Sequence, residues 1–252
     1  MTFHDWLYSV YPPNSDINGR WGMLHIITLI LCVLVIGLII PMKNKDLRVR
    51  QGVIMIIASL IFLLEITRRG INISRGVEGI TSWLHVLLPR PWCAISCWTL
   101  MLSSVLRKKW LYNFASTCAL LNALVFFAYP SVGFNHNVIL FENLYSILTH
   151  SLLLVGSISL MTLRLAEFKT DKSIIKEAIV FLLVLVYVFM EIYVLKIESD
   201  PMYFMPGNEV QAVLGVGYGM YLVIYVGFLA IYFSLFRIVA WIIRKRKNSL
   251  TI

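Results

Sequence analysis

The sequence predicts an all-α, multi-pass membrane protein, and three observations support this fold class. Hydrophobic residues make up 59% of the 252 residues and charged residues only 14%, whereas a soluble domain carries about 25% charge. The mean hydropathy is +0.80. The apolar residues also form long continuous blocks, each close to the roughly 20 residues that a helix needs to cross a bilayer. These features exclude a soluble enzyme and a disordered chain.

Seven apolar blocks predict a bundle of seven spanning helices, which we interpret as a single membrane-embedded domain over residues 1–252. The predicted spans are 22–42, 51–67, 83–106, 111–130, 143–165, 174–196 and 211–236, with a basic tail at 237–252. The last apolar block exceeds the bilayer thickness, so we expect its helix to continue beyond Phe236 into the cytoplasm. The run Gly215-Val-Gly217-Tyr-Gly219 favours close packing against another helix, with a bend as the alternative.

The distribution of basic residues predicts the orientation. Lys and Arg follow the first, third and fifth spans and close the chain, at Lys43, Lys45, Arg48, Arg50, Arg107, Lys108, Lys109, Arg164, Lys169, Lys172 and 244–247. The segments 131–142 and 197–210 contain none, whereas 68–82 departs from the pattern with three arginines. By the positive-inside rule the N-terminus is outside and the C-terminus is cytoplasmic.

The net charge of +9 therefore indicates topology rather than nucleic-acid binding. We expect the tail 244–247 to meet anionic lipid headgroups on the cytoplasmic side. The four cysteines, Cys32, Cys93, Cys97 and Cys118, all lie in apolar stretches, so a disulfide framework is not predicted. A Cys-x-x-x-Cys spacing without a second ligand pair does not predict a metal site, and no cofactor is expected.

The start of the third span has an unusual sequence. Pro89 and Pro91 cannot both lie inside a regular helix, because each lacks an N–H donor and clashes with the preceding turn. We predict that the helix begins at Pro91, a favoured first position, and that 83–90 forms a short irregular re-entrant segment. Irregular backbone at membrane depth is tolerated where it lines protein or a water-filled cavity.

This arrangement places Cys93 in the first turn of a helix, where free N–H groups favour a thiolate and can receive an oxyanion. A nucleophilic thiol is one interpretation. The other is that Cys93 and Cys97 are small apolar residues that face a neighbouring helix. Cys97 lies about 6 Å deeper on the helix rise, and we interpret it as structural.

Ionisable residues of five predicted spans lie in the outer half of the membrane, at His25, Glu65, Cys93, His150 and Glu191. Charged groups in hydrocarbon need a partner or a function, so this asymmetry predicts a cavity that opens toward the outer leaflet. Glu65 has a structural alternative, pairing with Arg68 or Arg69 on the next turn. His25 has another, as an interfacial residue beside Trp21. Glu191 has no basic residue one turn away, which favours an interhelical partner such as His150 or an arginine.

Four short motifs in this order resemble the YwaF-like family, which includes the eukaryotic transmembrane protein 164 acyltransferases. They are Gly22-Met-Leu-His25, the Leu-Pro-x-x-x-Cys entry from Leu88 to Cys93, the block from Phe141 to His150, and Tyr203-Phe-Met-Pro206. The resemblance implies that Cys93 and His150 act together in moving an acyl chain between lipids, and it favours a bacterial plasma membrane. Bacterial members of the family usually have Leu-His at the two positions that Arg90 and Pro91 occupy in this chain. His85 is the candidate to take the place of the missing histidine.

The resulting hypothesis is an integral membrane lipid acyltransferase or acyl hydrolase. Cys93 attacks a lipid ester, His150 carries the proton, and Glu191 or Glu65 orients the imidazole. Six residues are candidates for binding the lipid substrate: His25, Glu65, Arg68, Arg69, Arg90 and Tyr203. Arginines at headgroup level can grip a phosphate, and the alternative for Arg68 and Arg69 is interfacial snorkelling.

Two other function classes fit the composition. A membrane carrier, or a substrate-binding subunit of a transporter, would use an outward polar cavity for ligand or proton binding. A non-catalytic assembly partner would use the small-residue face of the seventh span as its contact. The sequence leaves the oligomeric state open.

Overall fold

The computed structural model describes residues 2–8, 22–76, 83, 86–88, 92–128, 134, 139–168, 173–195 and 206–249. Every regular element among these residues is helical, which confirms the all-α fold class. The α-helices are α1 (Phe3–Tyr8), α2 (Met23–Ile39), α3 (Leu47–Ser74), α4 (Trp92–Leu106), α5 (Lys109–Ala128), α6 (Phe141–Thr162), α7 (Ser173–Phe189), α8 (Glu209–Leu214) and α9 (Tyr218–Ser249). A 3₁₀-helix, Ile40–Asn44, extends α2, and a π-helix, Met190–Val194, extends α7.

Several of these helices are long and apolar enough to cross a membrane, as expected for a multi-pass protein. Among the described residues there are five such stretches: Met23–Asn44, Leu47–Ser74, Lys109–Ala128, Phe141–Thr162 and Tyr218–Ile242. Helix α4 is apolar but has only 15 residues. The count of seven spans and the orientation with the N-terminus outside stay predictions.

The chain divides into two compact units, Met1–Ala166 and Glu167–Ile252. In the first unit α3, α4, α5 and α6 pack against one another, and α2 packs on α6. The buried residues of α2 are His25, Thr28, Cys32 and Ile39, which share one helix face because they recur every three, four or seven residues. The opposite face of α2 exposes large apolar side chains, as a lipid-facing helix requires.

Small and hydroxyl-bearing residues bring the central helices of the first unit close together. Ser157 Oγ donates to the Ser116 carbonyl at 2.9 Å, and Ser116 Oγ donates to the Ser157 carbonyl at 3.3 Å, so α5 and α6 are joined in both directions. A Cβ atom on Gly156 would lie 2.9 Å from Leu100 Cδ2 and 3.3 Å from Ile57 Cγ2. Glycine at this position therefore allows α3, α4 and α6 to meet.

Helix α1 is tied to the first unit by polar contacts. Trp6 Nε1 donates to the Ile139 carbonyl at 2.9 Å. Arg75 caps the C-terminal end of α3, donates to the Leu7 carbonyl at 3.2 Å and pairs with Glu142 at 3.1 Å. These bonds fix α1 beside the start of α6.

Two helices of the first unit end at arginines in the left-handed backbone conformation. Arg107 follows α4 with φ of 54°, and Arg164 lies just beyond α6 with φ of 57°. Helices often end this way, although glycine is the usual residue there. Arg50 Nη1 donates to the Leu163 carbonyl at 2.8 Å, which satisfies one acceptor at the end of α6.

Helix α3 is longer than the predicted second span of 51–67. Helix α3 continues from 67 to Ser74, so Arg68 and Arg69 lie within the helix rather than in a connecting segment. They had been counted in a basic segment that departed from the alternating charge pattern. With both arginines inside α3, only Arg75 of that segment lies at the helix end.

The segment before the third helix is described only in part. Helix α4 is described from Trp92, one residue after the predicted start at Pro91, which itself lies outside the described residues. An irregular backbone from 83 onward was wrong for Trp83, Val86 and Leu87, which are helical, whereas Leu88 lies in a bend. The residue before a proline is disfavoured in the α region, which explains the bend at Leu88.

In the second unit α7 and α9 pack through aromatic rings and one ion pair. Ring centroids of Phe181 and Phe233 lie 5.2 Å apart, and the Arg237 guanidinium pairs with the buried Glu177 carboxylate. The glycine run is a break rather than a packing surface. Gly215 has φ of 63° and ends α8, and no atom of the described residues lies within 4 Å of a Cβ built on it. The prediction of close packing was therefore wrong at Gly215.

Candidate functional site around Glu65 and Cys93

A buried carboxylate lies at the centre of the candidate site. Glu65 of α3 is 0% exposed, and both of its oxygens accept hydrogen bonds. Arg69, one turn later, donates to Oε1 from Nε at 3.0 Å and from Nη2 at 2.5 Å. Tyr145 of α6 donates its hydroxyl to Oε2 at 2.5 Å. The alternative that Glu65 pairs with its helical neighbours is confirmed.

Arg69 connects this carboxylate to the segment that precedes Cys93. Its Nη1 donates to the Val86 carbonyl at 2.5 Å, and both Nη atoms reach the Leu88 carbonyl at 3.3 Å. Those carbonyls lie at the break before α4 and need donors away from water. The side chain is buried, which argues against snorkelling for Arg69. Arg69 therefore positions the entry to α4.

Arg68 lies beside the same carboxylate but is bound more loosely. Its Nη2 is 3.4 Å from Glu65 Oε1, and its Cζ lies 5.2 Å from the centroid of the Tyr145 ring. Its side chain is 27% exposed. Arg68 Nε is buried and has no hydrogen-bond partner among the described residues. The Arg68 guanidinium thus keeps an N–H donor without a described partner, whereas all three nitrogens of the Arg69 guanidinium donate hydrogen bonds.

Cys93 is half-buried in the first turn of α4. The first turn of a helix has free backbone N–H groups. Arg68 and Glu65 of α3 are charged neighbours with opposite effects on a negative charge at the sulfur. Cys97, one turn deeper, is 1% exposed. A thiol at a helix N-terminus therefore lies in a region that holds both a cation and an anion.

His150 lies on α6, which begins at Phe141 where Asn143 Oδ1 accepts the Leu140 N–H at 3.0 Å. The His150 ring stacks on Phe126 with centroids 4.0 Å apart. His150 Nδ1 lies 2.7 Å from the carbonyl oxygen of the residue one turn before it, Ser146. A carbonyl only accepts, so Nδ1 carries the hydrogen and Nε2 of the neutral ring carries the lone pair.

No hydrogen bond joins Cys93 to His150 in the described part of the chain, but both lie beside the same stretch of α5. Asn122 Nδ2 donates to the Trp92 carbonyl at 3.1 Å and to Ser96 Oγ at 2.6 Å, next to Cys93. Phe126, one turn further along α5, stacks on His150.

His25 is buried in the first unit and packs on rings. Its ring centroid lies 4.8 Å from that of Phe134 and 5.9 Å from that of Phe127, and it hydrogen-bonds with the Phe127 backbone. Phe126 contacts both of these phenylalanines, so one aromatic cluster links His25 to His150. The burial of His25 argues against the interfacial alternative.

Glu191 belongs to the second unit, in the π-helix that follows α7. It is buried, and Tyr187 one turn before it donates its hydroxyl to Oε1 at 2.7 Å. Only basic neighbours had been considered as local partners, so this bond was missed. An apolar pocket of about 230 Å³ lies in the same unit, lined by Leu185, Phe189, Tyr193, Tyr218, Leu222 and Val226.

Three candidate residues, His85, Arg90 and Tyr203, lie outside the described residues. Tyr145 was not predicted as a site residue, because a tyrosine among apolar residues gives no periodic signal and carries no charge at neutral pH. Its position in the Phe141–His150 motif was the available indication. Among the described residues, no three His, Cys, Asp or Glu side chains converge in a way that would hold a metal ion.

No curated protein and no solved structure matches the chain. The model of the TMEM164 family matches residues 18–237, which include every helix from α2 to α8 and most of α9. This match covers most of the sequence and agrees with the motifs around His25, Cys93 and His150. The protein is a multi-pass membrane protein that belongs to the TMEM164 family.

Proposed function

We propose that this protein is a lipid acyltransferase or acyl hydrolase that works through a Cys93 thioester. The observation that carries the proposal is the position of the Cys93 thiol in the first turn of α4. Helix N-termini and guanidinium groups both favour negative charge on sulfur or on an ester oxygen. The family match supports a membrane function but carries no chemistry by itself.

The proposed reaction has two halves. Cys93 Sγ attacks the carbonyl carbon of a lipid ester, and the tetrahedral intermediate collapses with cleavage of the ester C–O bond. The lipid alcohol leaves with a proton, and the acyl group stays on sulfur as a thioester. A hydroxyl of a second lipid, or water, then attacks the thioester carbonyl, and cleavage of the C–S bond returns the Cys93 thiolate.

His150 is proposed to carry the proton between these halves. Its Nε2 is the basic nitrogen when Nδ1 donates to the Ser146 carbonyl. A water molecule bridging Nε2 and the thiol, or a rotation of the Cys93 side chain, would connect the two groups on substrate binding. Glu65, one of the two carboxylates considered for orienting the imidazole, is assigned to the arginines that it binds.

The proposed substrate is a membrane lipid, and Arg68 is the described residue best placed to meet its headgroup, since its side chain is the more exposed of the two arginines. Arg90, Tyr203 and His25 stay proposed contacts. The basic tail is proposed to bind anionic headgroups, and the bacterial plasma membrane is the proposed location.

A direct test is to detect the thioester. The purified protein is reconstituted in vesicles that contain a phospholipid with an alkyne-tagged acyl chain, and the acylated peptide is identified by mass spectrometry. We expect a hydroxylamine-sensitive acyl group on Cys93. Cys93→Ser should abolish it, and His150→Gln should lower the rate of its formation by about 10²- to 10⁴-fold.

Cys118→Ala is the matched control, because Cys118 is a buried thiol on α5 outside the site. This variant should acylate at the rate of the unmodified protein. Turnover of the tagged lipid without any adduct on Cys93 would overturn the thioester mechanism. Binding of the tagged lipid without either an adduct on Cys93 or lipid turnover would favour the alternative function, a membrane carrier.

A further inference from the structure

The side chain of Asn122 joins α5 to the first turn of α4. It is half-buried. Its Nδ2 donates to the Trp92 carbonyl at 3.1 Å, to Ser96 Oγ at 2.6 Å and to the Cys118 carbonyl of its own helix at 2.9 Å. Carbonyl oxygens only accept hydrogen bonds, so the amide must present its nitrogen to these two carbonyls. Two amide hydrogens serve three acceptors, and one N–H is therefore shared.

The bond from Asn122 is a second hydrogen bond to the Trp92 carbonyl. Trp92 is the first described residue of α4, and a helical carbonyl already accepts the N–H of the residue four positions later. A carbonyl oxygen has two lone pairs and can accept both bonds. The donor from Asn122 therefore changes the direction and the polarity of this peptide group rather than satisfying an empty acceptor.

The Trp92 carbonyl and the Cys93 N–H belong to the same peptide group. This group is planar, and in the trans form its N–H points opposite to its C=O. A donor that fixes the carbonyl oxygen therefore also fixes the direction of the Cys93 N–H. The hydrogen bond to the oxygen polarises the whole group, which makes its N–H a stronger donor.

The Cys93 N–H lies at the end of the helix where such donors are free. The first N–H groups of an α-helix have no acceptor within the helix and point beyond its N-terminal end. The thiol and this N–H belong to one residue, so an ester carbonyl that the thiol attacks lies within reach of the N–H. In serine proteases the N–H of the nucleophilic residue itself is one donor of the oxyanion hole.

We propose that the Cys93 N–H is the oxyanion donor of acyl transfer and that Asn122 is the residue that positions it. When Sγ attacks an ester carbonyl, the π electrons of the C=O bond move to oxygen. The N–H donates to this oxygen until the C=O bond re-forms and the ester C–O bond breaks. Asn122 acts from the far side of the peptide group, so it is a positioning residue. The inference rests on the proposed function in taking Cys93 as the nucleophile.

The hydrogen bond can be measured on one labelled peptide group. Trp-Cys occurs once in the sequence, at Trp92-Cys93. Full-length protein in detergent, labelled with ¹³C-carbonyl tryptophan and ¹⁵N-cysteine, therefore gives a single carbonyl–amide correlation by NMR. Asn122→Leu keeps the approximate size of the side chain and removes the donor, so the Trp92 carbonyl signal should move upfield. Ser96→Ala is the matched control, because it removes another partner of the Asn122 amide and keeps the bond to Trp92. Its signal should not move upfield.

The effect on chemistry is measured with p-nitrophenyl butyrate, an activated ester that can acylate Cys93 without a lipid. Release of p-nitrophenolate and the butyryl group on the Cys93 peptide report thioester formation. Asn122→Leu should slow this step by about tenfold, less than the about 10²- to 10³-fold that follows removal of an oxyanion donor itself. Iodoacetamide alkylates the same thiol by displacement of iodide and places no negative charge on a carbonyl oxygen, so its rate should be unchanged. Ser96→Ala should react at the unmodified rate with both reagents.

Three results for Asn122→Leu would overturn the assignment. They are an unmoved Trp92 carbonyl signal, acylation at the unmodified rate, and equal slowing of acylation and alkylation. The last would mean that Asn122 holds the first turn of α4 in place without a specific effect on the oxyanion. Acylation by the model ester that depends on Asn122, without any thioester from a lipid, would contradict only the lipid chemistry. An unmodified protein whose Cys93 is acylated by neither compound would contradict both the proposed function and this inference.

Discussion

The buried ion pairs of the two units differ in their charge balance. In the second unit Arg237 and Glu177 form a pair between α7 and α9, one cation with one anion. In the first unit Glu65 binds two arginines and a tyrosine, and Arg69 also binds backbone carbonyls before α4. A balanced pair joins two helices and can be replaced by apolar residues. The Glu65 cluster, in contrast, also positions the backbone segment before α4 through Arg69.

Removal of the Glu65 carboxylate is expected to have the largest effect. Glu65→Gln leaves Arg69 buried without its anion, and loss of one partner of a buried pair costs about 3–5 kcal/mol of stability. Unfolding in detergent, followed by the reactivity of buried cysteines, measures this change. Retention of normal stability would mean that the carboxylate does not hold the cluster together.

The Arg237–Glu177 pair provides the contrasting case. Arg237→Leu or Glu177→Leu alone should destabilise the protein by about 3 kcal/mol, because each leaves a buried charge. The double replacement should return close to the original stability, since a balanced pair can be exchanged for apolar side chains. The corresponding exchange of Glu65 and Arg69 should remain destabilising, because the Val86 and Leu88 carbonyls lose their donors. Equal recovery in both double variants would remove the distinction between the two sites.

Tyr145→Phe should have an intermediate effect. It deletes one hydrogen bond to a charged acceptor, worth about 1.5–3 kcal/mol, and keeps the aromatic ring under Arg68. Thermal unfolding of the purified variant measures the loss. A loss as large as that of Glu65→Gln would mean that the tyrosine, not Arg69, is the main partner of the carboxylate.

The exposed pair of Arg75 and Glu142 should matter least. The Glu142 side chain is 39% exposed, and ion pairs in contact with water contribute about 0–1 kcal/mol. Glu142→Gln should therefore change the unfolding temperature little, and the small change should disappear at high salt. A large, salt-independent loss would show that the contact of α1 with α6 depends on this pair.

The sequence was sufficient to predict the fold class and most helix positions, because both depend on long apolar blocks that are independent of tertiary contacts. It also identified Glu65, Cys93 and His150 as polar residues inside such blocks. It counted Arg68 and Arg69 in a connecting segment, although it also offered Glu65 on the preceding turn as their partner. The ion pairs with Glu65 allow both arginines to lie inside an apolar helix.

Contacts between distant segments could not be predicted in the same way. Tyr145 reaches Glu65 across 80 residues of sequence, and Arg69 reaches Leu88 across 19. Such contacts depend on how helices cross, and a single sequence carries no periodic signal of crossing geometry. The glycine run at Gly215 was ambiguous for another reason, since the same residue type suits both close packing and a left-handed turn.

The two arginines in left-handed backbone conformation, Arg107 and Arg164, show a conflict between folding stability and membrane insertion. A non-glycine residue in this conformation costs about 1–2 kcal/mol, so glycine at either position would relieve strain in the finished structure. Glycine would also remove a positive charge that flanks a membrane segment, and such charges bias the orientation adopted during insertion. Engineering for thermal stability at these two positions therefore carries a risk of inverted topology, which a stability assay on correctly inserted protein would not reveal.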